Sequence, residues 1–341
     1  MPVHKVGYRP WTGKKTPIWN RWWIITETGF QIAFKSTWVK RILLISWLPV
    51  LYWGLAVFLI EQTLVDKVES LTDNETVQKE MTEVFVQWIE DDLDVLPQTD
   101  DLKQTLQAGG KTELRHGIWS WLLMTFFRYP QGTAMLFLIG IVAPGLISRD
   151  VRSRAFLMYF SRPIGRFEYI IGKAMVPTTF LLLITTIPAL CLYVFGVMLS
   201  PTFSVTFATW DLPFRIIAAS FCLIIPTVSI ALMLSSVTQE SRFATFAWFT
   251  VWALGHAAWF AIRIARSIQI RESPFEDVVM NDPIVQTWSV VSLYNNLAAV
   301  QSWIFGFDTF AEIWPAFAVL LIVTVVSLVL LFRGVSAPIN E

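Results

Sequence analysis

The feature that most constrains this chain is a series of long apolar runs separated by polar segments. Six of the runs approach the length that a helix needs to cross a hydrocarbon core about 30 Å thick. They cover residues 42–60, 132–148, 174–199, 214–236, 243–262 and 312–332. Only 15% of the 341 residues are charged, against about 25% in a typical globular domain. The sequence therefore predicts an all-α integral membrane protein with six transmembrane helices.

The distribution of Lys and Arg orients the predicted helices. Residues 1–41 carry eight basic side chains and one acid, and residues 149–173 carry six basic side chains and two acids. Short loops rich in Lys and Arg are retained on the cytoplasmic side, so both segments are predicted to lie in the cytoplasm. Six spans then return the C-terminus to the same side. The chain is thus predicted to be a multi-pass protein of the inner (cytoplasmic) membrane.

The segment before the first span has mixed character. Between residues 17 and 40, aromatic and aliphatic side chains are interleaved with polar ones, which is typical of an amphipathic helix in the membrane surface. An ordinary elbow that leads into the first span explains the same pattern equally well. We therefore divide the chain into a cytoplasmic N-terminus with an amphipathic interfacial helix, residues 1–41, and a six-helix transmembrane domain, residues 42–341.

A strongly acidic segment follows the first predicted span. Residues 61–131 contain fourteen acids and six basic residues, and they are predicted to form a helical insert outside the cytoplasm. A solvated acidic face is favoured over a cation site for its cluster Glu90, Asp91, Asp92 and Asp94. Near the end of the insert, residues 117–127 are apolar but too short to span a membrane, and they are predicted to form an interfacial helix leading inward.

Residues 263–311 allow two topologies. The stretch 283–307 is largely apolar, but polar side chains interrupt it at Gln286, Asn295, Asn296 and Gln301. A re-entrant or interfacial pair of short helices on the outer side is favoured over a seventh span, because polar backbone is tolerated at membrane depth where protein or water covers it. In this topology three arginines lie on the outer side, although basic residues are normally retained on the cytoplasmic side: Arg263, Arg266 and Arg271. Their side chains are predicted to reach the outer headgroups.

The six predicted spans hold almost no ionisable side chain. His256 in the fifth span is the clearest exception, and packing or hydrogen bonding between helices is favoured for it over a proton relay. No protease or zinc motif is present, and residues 110–112 mimic the tail of a phosphate-binding loop only in part, since Thr105 replaces its first Gly. These observations argue against an enzyme, and they predict a chain without a nucleotide or metal site and without a nucleic-acid partner.

The basic segment 147–173 carries the most specific motif in the chain. Its sequence is ISRDVRSRAFLMYFSRPIGRFEYIIGK. It resembles the cytoplasmic signature of ABC transporter permeases of the type-2 exporter family, in which an acidic residue closes the second span and a run similar to lSrPisR.eyllGK opens the third. The amphipathic leading helix, the six spans and the short outer helices before the last span also resemble that family. The insert 61–131 departs from it, because the family commonly has a short connection there.

The resemblance implies that residues 150–172 form a coupling region that docks on a separate cytoplasmic ABC ATPase. The implied docking residues are Asp150, Arg152, Arg154, Arg162, Pro163, Arg166, Glu168, Gly172 and Lys173. Arginine offers planar, multi-donor contacts to carboxylates on a partner, and Tyr159, Phe160 and Phe167 suit a groove on its surface. The alternative interpretation is that these arginines only fix the topology and contact lipid phosphates.

The resemblance also implies a function. The chain is expected to be the permease subunit of an ATP-binding cassette exporter, as a homodimer or with a related permease, while ATP and Mg²⁺ are held by the ATPase. Its apolar spans fit lipids, peptides, drugs or an ion path equally well as substrates. A rival hypothesis makes the chain a non-transporting membrane scaffold or assembly factor that recruits an extracytoplasmic partner through residues 61–131.

Overall fold

The computed structural model describes residues 20–70, 110–153, 155, 165–200, 204–274, 277–280 and 282–340, and every regular element among them is helical. The α-helices are α1 (Arg21–Phe34), α2 (Thr37–Ser70), α3 (Gly110–Phe126), α4 (Gly132–Val142), α5 (Pro144–Arg152), α6 (Arg166–Ile184), α7 (Thr186–Leu199), α8 (Ser204–Ala208), α9 (Leu212–Val237), α10 (Ser241–Ile270), α11 (Asp277–Met280), α12 (Pro283–Trp288), α13 (Leu293–Phe305) and α14 (Phe310–Asn340). A π-helical turn, Phe127–Gln131, joins α3 to α4, and a 3₁₀ turn, Ser289–Val291, lies between α12 and α13.

Six helical runs in the described residues are long and apolar enough to cross a membrane. They are Thr37–Leu59, Arg115–Arg152, Arg166–Leu199, Leu212–Val237, Ser241–Ile270 and Phe310–Val335. The predicted fold class, an all-α membrane protein with six spans, is therefore confirmed. Several runs extend beyond the predicted apolar stretches because their polar ends are paired with other parts of the chain, as Asp150 and Lys173 show.

The second run differs most from the prediction. It consists of α3, the π-helical turn, α4 and α5, and the turn accommodates Pro130, which has no N–H to donate. The predicted interfacial helix at 117–127 is wrong in its placement, because these residues are buried inside the protein. The stretch is short only when considered alone, since the helix continues through the turn into α4. Residues 71–109, which form most of the predicted insert and include its acidic cluster, lie outside the described residues.

Consecutive spans run in opposite directions, so their ends meet in two groups. We call one group the basic end, and it comprises Thr37, Arg152, Arg166, Val237, Ser241 and Val335, while the opposite group is the distal end. At the basic end, Ser235 Oγ accepts hydrogen bonds from the backbone N–H groups of Ile147 and Ser148, each at 3.1 Å. Ser148 Oγ also lies 3.0 Å from Ser241 Oγ. These small side chains tie α5 to both α9 and α10.

Short helices fill the region between the fifth and sixth spans. The longest, α13, has 13 residues, and the described residues of this region contain no helix long enough to be a seventh span. The carbonyl oxygen of Val291 lies 2.9 Å from the position that a Cβ on Gly255 would take, halfway along α10. Tyr294 Oη donates to the carbonyl oxygen of Arg128 at 3.2 Å, and α13 then returns to the distal end. These contacts are compatible with the predicted re-entrant pair, and that placement stays a prediction.

The arginines at the end of α10 are held by the protein. Arg263 is buried, its Nε donates to the carbonyl oxygen of Pro274, and its guanidinium lies 5.3 Å from the ring centroid of Trp259. Arg266 Nη2 donates to Asp282 Oδ2 at 2.6 Å. These contacts hold Arg263 and Arg266 against the protein, whereas Arg271 is exposed and its reach to the outer headgroups stays a prediction.

Helix α1 packs directly on α6. Thr26 Oγ1 donates to the carbonyl oxygen of Gly172 at 3.0 Å, and the rings of Phe30 and Phe180 stack with centroids 4.6 Å apart. Trp23 and Ile32 are exposed on the two flanks of the face that packs on α6. The placement of α1 in the membrane surface stays a prediction.

Candidate functional site

The segment 149–173 supplies the candidate site, and the structure places its predicted residues in two groups. Arg154, Arg162 and Pro163 lie outside the described residues. Asp150 and Arg152 stand at the end of α5, and Arg166, Glu168, Gly172 and Lys173 stand in the first turns of α6. The fold thus brings the two ends of the basic segment together at the basic end of the bundle.

A buried ion pair joins these two helix ends. Lys173 Nζ lies 2.8 Å from Asp150 Oδ2, and Tyr169 Oη donates to the same oxygen at 2.7 Å. The ammonium also lies 5.6 Å from the centroid of the Tyr169 ring. The side chains of Asp150 and Lys173 are only 15% and 11% exposed, so they face the interior. Their role in the site is to hold the segment in place, because each satisfies the charge of the other.

Glu168 and Gly172 define how α6 begins and what packs against it. The backbone N–H of Gly165 donates to Glu168 Oε2 at 3.1 Å, which satisfies one of the free donors at the start of the helix. A Cβ on Gly172 would stand 2.8 Å from Ile25 Cβ and 2.9 Å from the carbonyl oxygen of Trp22. Glycine at position 172 is therefore what allows α1 to lie against the start of the third span.

Other residues of the basic end are open to a partner. Arg152 and Arg166 are exposed, and the Phe167 side chain is 63% exposed beside the ring of Phe332. The turn between α9 and α10 adds Glu240 and Arg242, whose side chains pair at 2.8 Å. We call this set the docking surface, and it comprises Arg152, Arg166, Phe167, Glu240 and Arg242.

Electrostatics link the two parts of the docking surface. A hydrogen bond and the charge from Arg242, with a smaller contribution from Arg152, hold the pKa of Glu240 below its usual value. Arg152 and Glu240 therefore lie close enough to interact, although 87 residues separate them in the chain. The sequence did not assign the α9–α10 turn to the site, because only packing brings it beside α5.

Charged residues inside the spans are more numerous than the sequence predicted. Arg115, Arg128, Lys173, Arg263 and Arg266 all lie within the candidate spans. At the distal end, Glu61 is buried and accepts hydrogen bonds from Arg115 and, at 2.8 Å, from Trp119 Nε1. The prediction of almost uncharged spans is wrong because residues 115–131 were assigned to the insert and because the third and fifth runs extend beyond the predicted apolar stretches to include Lys173, Arg263 and Arg266.

The remaining predicted chemistry is modest. His256 makes ring contacts with Trp259 and Tyr294 at centroid distances of 5.5 and 5.7 Å, which agrees with a packing role. Within the described ranges, no group of three or more His, Cys, Asp or Glu side chains is arranged to hold a metal ion.

Comparison with known proteins gives one informative match. The family model of the ABC-2 family transporter protein matches residues 23–335. The matched range extends from α1 into α14 and contains all six candidate spans and the basic segment 149–173. No curated protein matches the chain.

Proposed function

Because the chain belongs to the ABC-2 family of transporter proteins, we propose that it is the permease subunit of an ATP-binding cassette exporter. The observation that carries the proposal is the buried ion pair between Asp150 and Lys173. It anchors both ends of the basic segment at the basic end, where a coupling segment has to be fixed if it is to move the spans.

The docking surface is the part that would contact a separate ABC ATPase. Arg152 and Arg166 offer guanidinium groups to carboxylates and carbonyls of the partner, and Phe167 is an exposed aromatic anchor. Glu240 offers a complementary charge to basic residues on the same partner. ATP and Mg²⁺ belong to the ATPase in this proposal, and the basic end faces the cytoplasm of a cell whose inner membrane holds the spans.

The anchored segment provides a route from ATP to the spans. Closure of two ATPases on ATP pushes on two docking surfaces, one from each permease of a homodimer or of a pair with a related permease. The Asp150–Lys173 pair passes the movement to the third span, and Ser148 with Ser235 passes it to the fourth. Gly172 links α1 to the same movement. The spans then exchange between inward-facing and outward-facing arrangements.

The test is co-purification with an ABC ATPase encoded beside this chain. Reversing two exposed charges, Arg152→Glu with Arg166→Glu, is expected to abolish co-purification and the stimulation of ATP hydrolysis, because like charges then meet across the interface. Lys35→Glu is the matched control, since Lys35 is exposed next to α1 and lies outside the docking surface. An unchanged association and stimulation in the double variant would overturn the proposal.

A further inference from the structure

A small crevice inside the bundle brings a charged side chain and an amide together. Arg128, on the π-helical turn, and Gln301, on α13, both line it. The other walls are mainly apolar and include Met135, Leu223 and Tyr294. In this conformation the crevice has room for about one water molecule.

Two hydrogen bonds fix the depth of Arg128. Trp53 Nε1 donates to Thr125 Oγ1 at 3.3 Å, and Gln131 Nε2 donates to the carbonyl oxygen of Ser46 at 3.2 Å. Arg128 lies between Thr125 and Gln131 in the chain, so its level falls between Trp53 and Ser46 on α2. These two residues lie well inside the first candidate span, Thr37–Leu59. Arg128 is therefore an arginine at membrane depth, where a charged side chain is costly and marks function.

The donors that face the crevice are not satisfied by the protein. Arg128 is 9% exposed, its Nε has no hydrogen-bond partner, and no carboxylate of the described residues lies within 4.0 Å of it. Gln301 is 2% exposed, and its Nε2 has no partner in the described part of the chain either. A buried donor without an acceptor costs free energy, so this arrangement calls for an acceptor that is itself charged.

One acid among the described residues acts on Arg128 through its charge, without forming an ion pair within 4.0 Å. Asp308, in the connection between α13 and α14, interacts with the Arg128 charge, but burial raises the pKa of Asp308 to about 6. The carboxylate of Glu312 acts in the same direction, against the lowering effects of Ser302 and Arg128. The crevice thus offers a ligand two donors that have no partner among the described residues, Arg128 Nε and Gln301 Nε2.

We propose that the crevice between Arg128 and Gln301 binds the acidic head group, phosphate or carboxylate, of an amphipathic molecule. The inference rests on the proposed function, because it makes this molecule the transported substrate. A guanidinium binds two oxygens of such a group at once, and the Gln301 amide adds a further donor. The apolar walls contact the alkyl part of the ligand, and the crevice widens to admit it as the spans move. The π-helical turn, a feature that is frequent at functional sites, places Arg128 on this wall.

Binding is measured on the purified full chain in a non-ionic detergent, without any ATPase, by the change in tryptophan fluorescence. The probes are dodecyl phosphate, dodecanoate, dodecyltrimethylammonium and inorganic phosphate. Arg128→Gln is expected to weaken binding of dodecyl phosphate by about tenfold to a hundredfold, and Gln301→Leu by a smaller factor. Lys35→Gln, at an exposed cation next to α1 that lies outside the docking surface and the crevice, is the control and is expected to change binding less than about twofold.

Each outcome decides the proposal. Equal binding of the cationic and anionic amphiphiles, or unchanged binding in Arg128→Gln, overturns it. Should Arg128→Gln fail to fold, Arg128→Lys keeps the charge and is expected to lose the two-point contact, while Gln301→Leu tests the site from the other helix. If inorganic phosphate occupies the crevice at the same concentration as dodecyl phosphate, the anion site is supported and its ligand is a free anion. If only the amphiphile binds, the ligand is lipid-like. Since no ATPase is present, failure here leaves the docking proposal intact, and failure of docking leaves this binding intact.

Discussion

Lys173 Nζ lies 2.8 Å from Asp150 Oδ2, although 22 residues separate them in the chain. The pair closes the base of the basic segment, and Tyr169 completes it with a hydrogen bond to the same carboxylate. Removal of either charge leaves the other buried and uncompensated, which costs about 3 to 5 kcal/mol in buried pairs. The docking surface therefore lies on two helix ends that this ion pair holds together.

Breaking this pair is the first prediction. Asp150→Ala is expected to lower the thermal midpoint of the purified chain by several degrees and to weaken co-purification with the ATPase. The double change Asp150→Asn with Lys173→Met removes both charges and is expected to recover part of the stability. Arg242→Ala, which breaks an exposed pair, serves as the control and should leave the midpoint nearly unchanged. Equal midpoints for Asp150→Ala and the control would contradict the anchoring role.

Two glycines of the same segment provide the second prediction. Gly172→Ala places a Cβ 2.8 Å from Ile25 Cβ and 2.9 Å from the backbone oxygen of Trp22, so α1 has to move away at a cost of about 1 to 3 kcal/mol. A Cβ on Gly165 meets no atom within 4 Å, and Gly165→Ala is the matched control. Limited proteolysis is expected to cleave near α1 faster in Gly172→Ala than in wild type or in Gly165→Ala. The same cleavage rate in both variants would show that α1 does not depend on this contact.

The six spans could be predicted from the sequence because apolar length alone decides them. The position of Arg128 could not, because the residues before it begin with charged side chains and were assigned to the acidic insert. Only the burial of α3 shows that the second span starts at Arg115. A turn of π-helix, which has no clear sequence signal, then sets the direction of Arg128.

The sequence likewise predicted one part of the candidate site and missed another. The signature assigned the docking residues to the stretch 150–173, and that assignment stays a prediction. It did not separate the side chains that face inward, Asp150 and Lys173, from those that face outward, Arg152 and Arg166. That distinction depends on contacts between residues far apart in the chain. Glu240 joined the site for the same reason, because the fold places its turn near Arg152.

Asp308 provides a prediction about pH. Burial, together with Glu312, raises the pKa of Asp308 from 3.8 to about 6, against the lowering by Ser302 and Arg128. Because the folded pKa exceeds the unfolded value, ionisation of Asp308 opposes folding, and stability falls as the pH rises from about 4 to about 6. Asp308→Asn is expected to raise the thermal midpoint at about pH 7.5 and to have little effect near pH 4. Glu27→Gln, at an exposed acid of α1, is the control, and a lower midpoint for Asp308→Asn at about pH 7.5 would contradict the prediction.

Asp211, at the distal end, is expected to respond to pH in the opposite direction. Burial alone would raise the pKa of Asp211, but His116 at 2.9 Å and Arg215 at 2.6 Å outweigh it and hold the pKa below 3.8. A lowered folded pKa means that the carboxylate stabilises the folded protein above its unfolded pKa, and that this contribution is lost as the pH falls through the folded value. Asp211→Asn is therefore expected to lower the thermal midpoint at neutral pH, and the difference from wild type is expected to narrow on acidification. Glu240→Gln breaks an exposed pair and is the matched control, with little change expected at either pH. A difference that widens as the pH falls would show that the network around Asp211 does not stabilise this end of the bundle.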